Sequence, residues 1–126
     1  MSAVIDSSAL LAVLNDERGA EVVLPVLRGG TASAIILSET IAKASDQARD
    51  TPGVLGLIRR FDIKVVSFDA EQALEAAKLR SATRGRNVSF ADRACLALGV
   101  PVGMPIYTAD RDWTKLGLGL DIRLIR

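Results

Sequence analysis

Four acidic residues lie at the ends of apolar runs or within apolar helical patterns, and they are the residues best placed to do chemistry. Asp6 and Asp110 follow short apolar runs, Asp92 lies near the start of a helical apolar stretch, and Glu39 interrupts an apolar helical face. The chain contains no histidine, so an enzyme built from it would lack imidazole for proton transfer. Clustered carboxylates that hold a divalent cation are the alternative, because hard cations such as Mg²⁺ prefer oxygen ligands.

Each of the three aspartates also has a structural interpretation, as the cap of a helix. Asp6 is placed to cap the helix that follows it, although Ser7 and Ser8 are available for the same task. Asp92 comes three residues after a serine, which is the spacing of a capping box. Asp110 follows a predicted strand and precedes a short helix, so it too is a candidate N-cap. The pattern alone leaves both interpretations open for these residues.

Glu39 is different, because no cap explains an acid this far inside a predicted helix. Ile35, Ile36 and Ala42 lie three or four residues away and share its helical face. Acids are rarely buried unless they are paired or bound to metal, since removing a carboxylate from water is costly. We therefore favour a functional role for Glu39 over a boundary glutamate that reaches solvent.

Short apolar runs alternate with helical patterns along the chain. The strand-like runs cover residues 3–5, 31–33, 63–68, 105–108 and 121–125. The helical patterns cover residues 7–14, 17–28, 34–49, 54–61, 69–83, 88–98 and 110–115, with Gly29-Gly30, Thr51-Pro52-Gly53 and Gly99 as the predicted stops.

This alternation predicts an α/β three-layer sandwich, with a central, mostly parallel sheet of about five short strands flanked by helices. In such sheets the ligand crevice lies beyond the carboxyl ends of the strands. Asp6 and Asp110 would lie there, because each follows a predicted strand.

Composition narrows the class of protein. Of the 126 residues, 49% are hydrophobic and 25% charged, which is typical of a globular chain, and we expect one domain over residues 1–126. The formal net charge of +1 produces no overall field that would indicate nucleic-acid binding.

The cellular compartment is predicted from three absences in the sequence. The single cysteine, Cys95, excludes an intramolecular disulfide and favours a reducing compartment. No apolar run approaches the roughly 18 residues that span a bilayer. The N-terminal stretch has no basic segment and carries Asp6 within its apolar run, so we expect no signal peptide. We therefore predict a cytoplasmic protein that does not associate with membranes.

Four short motifs contain the acids. They are Val4-Ile5-Asp6-Ser7-Ser8-Ala9-Leu10-Leu11-Ala12, Ser38-Glu39, Ser89-Phe90-Ala91-Asp92-Arg93-Ala94-Cys95-Leu96-Ala97-Leu98 and Tyr107-Thr108-Ala109-Asp110-Arg111-Asp112-Trp113. Together they resemble the PIN-domain ribonucleases, specifically the VapC-type toxins of bacterial toxin–antitoxin pairs. Each motif is weak alone, but four in this order across the whole chain are specific. Phe90 is one departure, since the family pattern often has an aliphatic residue there.

The resemblance implies a catalytic site. Asp6, Glu39, Asp92 and Asp110 match the acidic constellation of the family, Thr108 matches a hydroxyl residue that often assists it, and Asp112 is a less certain extra acid. Four carboxylates in one pocket repel one another and raise their own pKa values unless cations intervene.

The predicted cofactor is therefore Mg²⁺ or Mn²⁺, as one or two ions. Asp6, Asp92 and Asp110 are the expected ligands, directly or through water, whereas Glu39 is either a ligand or orients the attacking water. The resemblance implies that RNA, single-stranded or in loops, is cut by hydrolysis without a covalent intermediate.

Basic residues near these motifs are candidates for contacts with RNA phosphate. They are Arg84, Arg86, Arg93 and Arg111, with Lys78, Arg80 and Lys115 as further members. Arginine suits this task because its planar fork pairs with phosphate. A solvated charged surface is an equally good explanation for any single one. Trp113 we interpret as a core residue rather than a base-stacking platform.

Family likeness also implies a homodimer and a cognate antitoxin whose tail covers the acidic cleft. The apolar residues considered for such contacts are Leu10, Leu11, Leu14, Val22, Val26, Val54, Leu55, Leu57 and Ile58, for most of which core packing is the simpler interpretation.

Two alternatives come from other classes of protein. One is a catalytically silent PIN-like module that binds RNA or protein. The other is a phospho-receiver signalling domain, in which Asp69 would accept the phosphoryl group. A receiver needs an adjacent acid pair after its first strand, whereas here Asp6 is followed by two serines. Asp69 also has Gln72 three residues later, which favours a helix cap.

Overall fold

The computed structural model describes residues 2–47, 51–101 and 103–126. Within these ranges the strands are β1 (Val4–Ile5), β2 (Thr31–Ser33), β3 (Lys64–Val66), β4 (Ile106–Thr108) and β5 (Ile122–Leu124). The helices are α1 (Ser7–Leu14), α2 (Ala20–Leu27), α3 (Ala34–Asp46), α4 (Thr51–Arg60), α5 (Ala70–Thr83) and α6 (Phe90–Gly99), and a 3₁₀ helix covers Arg111–Lys115.

The strands form one sheet in the order β3-β2-β1-β4-β5, and every neighbouring pair is parallel. Val4 in the central strand β1 is paired with Thr31 on one side and Ile106 on the other. Parallel neighbours need crossover connections, and the helices between the strands supply them. The predicted α/β sandwich is therefore confirmed. A receiver-type sheet has the order 2-1-3-4-5, so the observed order excludes the receiver alternative.

The core lies between the central strands and the helices packed on them. Val4, Ile5 and Ile106 of the sheet have no exposed surface, and neither do Leu10 of α1 and Leu96 of α6. Strands buried in this way are typical of a parallel sheet covered by helices. This packing fixes the carboxyl ends of β1 and β4, from which the candidate site residues project. In the parts of the chain that the structure describes, no helix has the length and apolar character needed to cross a membrane.

Several helix boundaries differ from the prediction, and three of the differences involve glycine or proline. α2 begins at Ala20 rather than at residue 17, because Gly19 before it has φ of +101°, a left-handed conformation that a helix cannot contain. Thr51-Pro52-Gly53 does not separate two helices but forms the first turn of α4, where a proline without an N–H is tolerated. Gly99 does not cap α6 but is its last residue, and a side chain there would meet Ile106 Cδ1 at 2.7 Å. The helix predicted to end near residue 49 ends at Asp46, with Gln47 as its C-cap; residues 48–50 lie outside the described ranges.

Candidate active site at the centre of the sheet

The strand order reverses between β1 and β4, since β2 and β3 continue on one side and β5 on the other. In open parallel sheets a ligand crevice forms outside the carboxyl ends of the strands at such a switch point. Asp6 directly follows β1, and Thr108 is the last residue of β4. The main-chain N–H of Asp6 donates to the Tyr107 carbonyl at 3.0 Å. Strand pairing therefore brings two sequence-distant motifs into contact.

The two carboxylate oxygens of Asp6, which is only 4% exposed, have different surroundings. Oδ2 accepts hydrogen bonds from the hydroxyls of Ser8 and Thr108, each at 2.8 Å. Oδ1 is buried and has no hydrogen-bond partner. Asp6 occupies the N-cap position of α1, yet its side chain makes no capping bond, so the capping interpretation is wrong for this residue. A buried carboxylate oxygen without a partner is costly, and a bound cation would relieve that cost.

The hydroxyls of Ser8 and Thr108 also organise the loop that carries Asp110. Ser8 Oγ accepts from the Ala109 N–H at 2.9 Å, and Thr108 Oγ1 accepts from the Asp110 N–H at 3.0 Å. Each hydroxyl thus directs its one proton to Asp6 and uses a lone pair to hold the loop. The prediction that Thr108 lies beside the acids is confirmed in its geometry. The sequence pattern assigns Ser8 only to helix capping. The signal that could identify it as a site residue is its position, since it is a hydroxyl residue two positions after an acid that ends a strand.

Glu39 comes from α3 and is held by two partners. The Ser7 hydroxyl donates to Glu39 Oε1, and Lys43 Nζ lies 3.6 Å from the same oxygen. Its side chain is 21% exposed. Ile36 on the same helix is fully buried, as expected, but Ala42 is exposed. Glu39 therefore lies at the edge of the apolar face and not in its middle, and Ser7 is a site residue that the sequence interpretation assigned to capping.

Both Asp92 and Asp110 take part in helix capping, Asp92 from the first turn of α6 and Asp110 from the N-cap position of the 3₁₀ helix. The Asp92 side chain accepts from the Ser89 N–H at 2.9 Å while Ser89 Oγ accepts from the Asp92 N–H at 3.1 Å, which completes the predicted capping box. Asp110 Oδ1 accepts from the Asp112 N–H at 3.0 Å at the start of the 3₁₀ helix. Each of these capping bonds uses a single carboxylate oxygen, so a cap and a second role are compatible.

The acids also influence one another electrostatically. Burial raises the pKa of Asp6, the hydroxyl bonds partly offset the rise, and the negative charge of Asp92 adds to it. Burial likewise raises the pKa of Asp92, and the charges of Glu39 and Asp110 add to that. The structure therefore places Asp6, Glu39 and Asp110 each within electrostatic range of Asp92.

Cys95 is a buried residue within electrostatic range of three of the acids. This free thiol is completely buried in α6. Burial raises its pKa well above the usual range, and the charges of Asp6, Asp92 and Glu39 raise it further. A neutral, inaccessible thiol is chemically inert, so we assign Cys95 to the hydrophobic core and not to the reaction.

The donor set fits a hard divalent cation. Its members are oxygen ligands, one buried oxygen of Asp6 has no partner, and burial, with a further contribution from neighbouring negative charge, raises the pKa values of Asp6 and Asp92. Across the described ranges, no group of three or more Asp, Glu or Cys side chains is close enough to hold an ion in the present side-chain positions. Binding would therefore need side-chain adjustment at the exposed members.

Three of the four predicted arginines are exposed and the fourth is partly buried. Arg84 and Arg86 are exposed at the turn after α5, and Arg111 is exposed at the start of the 3₁₀ helix. Arg93 is partly buried and donates to the Val88 carbonyl at 3.2 Å.

The remaining candidates are structural or solvated. Asp112 is exposed, with Lys115 Nζ at 3.9 Å. Trp113 is 2% exposed, which confirms that it belongs to the core. Asp69 accepts from the Gln72 N–H at 3.0 Å, as predicted for a cap.

A parallel sheet with Asp6 and Asp110 just beyond the carboxyl ends of its central strands defines the architectural class, and comparison with known proteins names the family. The PIN domain model matches residues 3–118, and the chain therefore belongs to the PIN domain family. No curated protein matches the sequence.

Solved structures share the fold at low sequence identity. A toxin–antitoxin complex from Klebsiella pneumoniae has a TM-score of 0.78 and 16% identity, covering 99% of this chain and 98% of that one. DNA-bound VapBC from Salmonella typhimurium has a TM-score of 0.77 and 15% identity, covering 100% and 99%. VapC20 from Mycobacterium tuberculosis, a toxin that cleaves the sarcin–ricin loop, has a TM-score of 0.75 and 20% identity, covering 92% and 95%.

Proposed function

We propose that this chain is a metal-dependent endoribonuclease that acts as the toxin of a toxin–antitoxin pair. The observation that carries the proposal is the Asp6 carboxylate, buried at the switch point, with one oxygen held by two hydroxyls and the other without a partner. Membership of the PIN domain family supports a nuclease role. The similarity in fold to a toxin that cleaves an RNA loop supports RNA, unpaired or in loops, as the substrate.

Asp6, Asp92, Asp110 and Glu39 are the residues that would hold Mg²⁺ or Mn²⁺. When bound, one or two such ions would supply charge neutralisation, polarisation of the phosphodiester and a lower pKa for the attacking water. The pKa values of Asp6 and Asp92 support this assignment, because both are raised by burial and by neighbouring negative charge.

The side chains themselves position the reaction. Ser8 and Thr108 fix the orientation of Asp6, and Ser7 with Lys43 fixes that of Glu39. Glu39, which is partly exposed and held at Oε1, would either bind the ion or orient the attacking water. In the proposed reaction the water oxygen attacks phosphorus, one P–O bond breaks, and no covalent intermediate with the protein forms.

RNA phosphates would be bound by Arg84, Arg86, Arg93 and Arg111. The double charge reversal Arg84→Glu with Arg86→Glu should weaken RNA binding severalfold and make the salt dependence of binding shallower, because fewer counterions are released. Fluorescence anisotropy titrations at several salt concentrations measure both quantities. Unchanged affinity and slope would remove these two arginines from the RNA path.

A cognate antitoxin and a homodimer complete the proposal. The similar structures from Klebsiella and Salmonella are a toxin–antitoxin complex and DNA-bound VapBC, which supports an antitoxin partner. Leu10, Leu11 and Val54, considered above for contacts, are buried in the core and are excluded from them, whereas Val22 and Leu55 are exposed. Size-exclusion chromatography with light scattering determines whether the free chain is a dimer.

The decisive experiment is cleavage of cellular RNA. Cut ends are mapped after induced expression of the wild type and of Asp110→Asn, and purified protein is assayed with Mg²⁺, with Mn²⁺ and with EDTA. We expect discrete cuts that need the metal and disappear in both Asp110→Asn and Asp6→Asn. Ends that are identical in wild type and variants would indicate contamination and would support the catalytically silent alternative.

A further inference from the structure

Phe90 is an exposed aromatic residue next to the acidic site. It is the first residue of α6, two positions before Asp92, and 49% of it is exposed. Both residues lie in the first turn of α6, so the ring and an acid of the proposed site belong to the same end of one helix. An RNA strand bound at that end of α6 would have the ring within its reach.

The Phe90 ring is held in a defined orientation. It packs edge-to-face against Phe68, with the ring centroids 5.4 Å apart and the planes at 85°. Phe68 in turn packs against the core. The Arg93 guanidinium carbon lies 5.9 Å from the Phe90 ring centroid. An exposed ring that is already ordered loses little conformational entropy when a flat partner stacks on it.

A basic cavity shares one lining residue, Arg93, with the separate cavity that the Phe90 ring lines. Its volume is about 290 Å³, and its lining includes three arginines, Arg80, Arg84 and Arg93, together with Thr83 and Asn87. Arg93 Nε is buried without a hydrogen-bond partner. Among the described residues that line the cavity there is no acid. Clustered guanidinium groups with free donors are suited to binding a phosphate.

We propose that Phe90 and this arginine cavity form a nucleotide subsite, in which an unpaired base stacks on the Phe90 ring and an adjacent phosphate binds Arg80, Arg84 and Arg93. The inference rests on the proposed function, since it assigns a place on the RNA path. Stacking accepts any base, but it requires one that is not already stacked within a duplex. The subsite therefore selects single strands and loops without reading a sequence.

The test compares three side chains at position 90 in the Asp6→Asn background with EDTA, so that binding is measured without cleavage. The probe is a short, unstructured, fluorescently labelled RNA. Phe90→Leu should bind about tenfold more weakly, because one stacked base contributes about 1–3 kcal/mol. Phe90→Tyr, which keeps the ring, should bind like Phe90. Thermal melting verifies that each variant is folded.

A single abasic position moved along the RNA identifies the stacked base. When the abasic position is the one that contacts Phe90, the Phe90→Leu variant and the protein that keeps Phe90 should bind the RNA with equal affinity. When it lies elsewhere, Phe90→Leu should still bind more weakly. Affinity of Phe90→Leu within twofold of Phe90 for the intact RNA would overturn the subsite. A changed oligomeric state with unchanged RNA affinity would overturn it as well, because the ring would then belong to a protein contact.

The two experiments can disprove the Phe90 subsite and the nuclease proposal independently of each other. Metal-dependent cleavage that is indifferent to the ring overturns the subsite alone. Binding that depends on the ring, without any cleavage by the wild type in Mg²⁺ or Mn²⁺, supports the subsite and overturns the nuclease proposal.

Discussion

Asp6, which follows a strand, and Asp92 and Asp110, which lie at helix starts, are held by different kinds of hydrogen-bond partner. Asp6 is buried at the end of β1, and its side-chain partners are hydroxyls from α1 and β4. Asp92 and Asp110 are half-buried and accept hydrogen bonds from the main chain at the first turns of their own helices.

The difference shows which acid depends on the tertiary structure. A helix cap is local, and it stabilises a carboxylate by bonds that the helix itself provides. Asp6 has no such local compensation, so its charge is costly in the metal-free protein. We infer that Asp6 is the acid with the greatest need for a cation, and that the other two serve both the helix and the site.

The largest expected effect is that of Asp6→Asn on catalysis. Cleavage should fall at least ~100-fold, because metal-ion catalysis is worth several kcal/mol. In EDTA the same variant should be as stable as the wild type or more stable, by on the order of 1 kcal/mol, since a repulsive buried charge is removed. A cleavage assay and thermal melts measure the two effects.

Asp69→Asn is the matched control for that variant. Asp69 is an exposed capping acid outside the cluster, and asparagine caps about as well as aspartate. Cleavage and stability should both stay close to wild type. Clear destabilisation of Asp6→Asn in EDTA would instead assign Asp6 a structural role.

Thr108→Val should reduce activity by about 10- to 100-fold, as is typical when a group that orients a metal ligand is lost. The substitution keeps the shape of the side chain but removes the donor to Asp6 and the acceptor for the Asp110 N–H. Each buried group left without a partner costs about 1–3 kcal/mol. Urea denaturation and the Mg²⁺ concentration for half-maximal activity separate stability from metal affinity. A normal Mg²⁺ requirement would rule out the orienting role.

Two substitutions of Asp92 separate its capping role from its charge. Asp92→Asn keeps an oxygen that can accept from the Ser89 N–H, whereas Asp92→Ala removes the acceptor. Both should lose cleavage activity, but only Asp92→Ala should lose about 1 kcal/mol of stability. Thermal melts of the pair give the difference directly. Equal stability of the two variants would show that the capping bond contributes nothing.

The smallest expected effect is the dependence of metal-free stability on pH. The folded-state pKa of Asp6 is raised above its usual 3.8, so between the two values the folded protein binds more protons than the unfolded chain. Stability from this group is therefore present at low pH and is lost as pH rises through the raised pKa. Urea denaturation in EDTA should show the advantage of Asp6→Asn over wild type growing as the pH is raised from mildly acidic to neutral. An advantage that does not change with pH would contradict the raised pKa.

Much of the fold could be predicted because its signals are local. Strand-like runs and helical spacing located the elements, and the Ser-x-x-Asp spacing identified the Asp92 cap that the structure contains. The errors lie where a distant residue decides a local conformation. Gly99 looks like a helix stop by its type, yet its close approach to Ile106 explains why glycine is there. Gly19 determines where α2 begins, because its left-handed conformation cannot belong to the helix and a side chain there would meet Ile125.

The site divides in the same way. The residue types and their order along the chain indicated Asp6, Glu39, Asp92 and Asp110 as the acids of interest, and the resemblance of the motifs to PIN-domain ribonucleases added Thr108. Only the tertiary structure decided that Ser7 holds Glu39 and that Ser8 accepts from the Ala109 N–H, since both bonds depend on how α1 is placed against α3 and the loop after β4. The physical reason is range: capping and periodicity act within a turn of helix, whereas burial and charge repulsion act between groups that become neighbours only when the sheet forms.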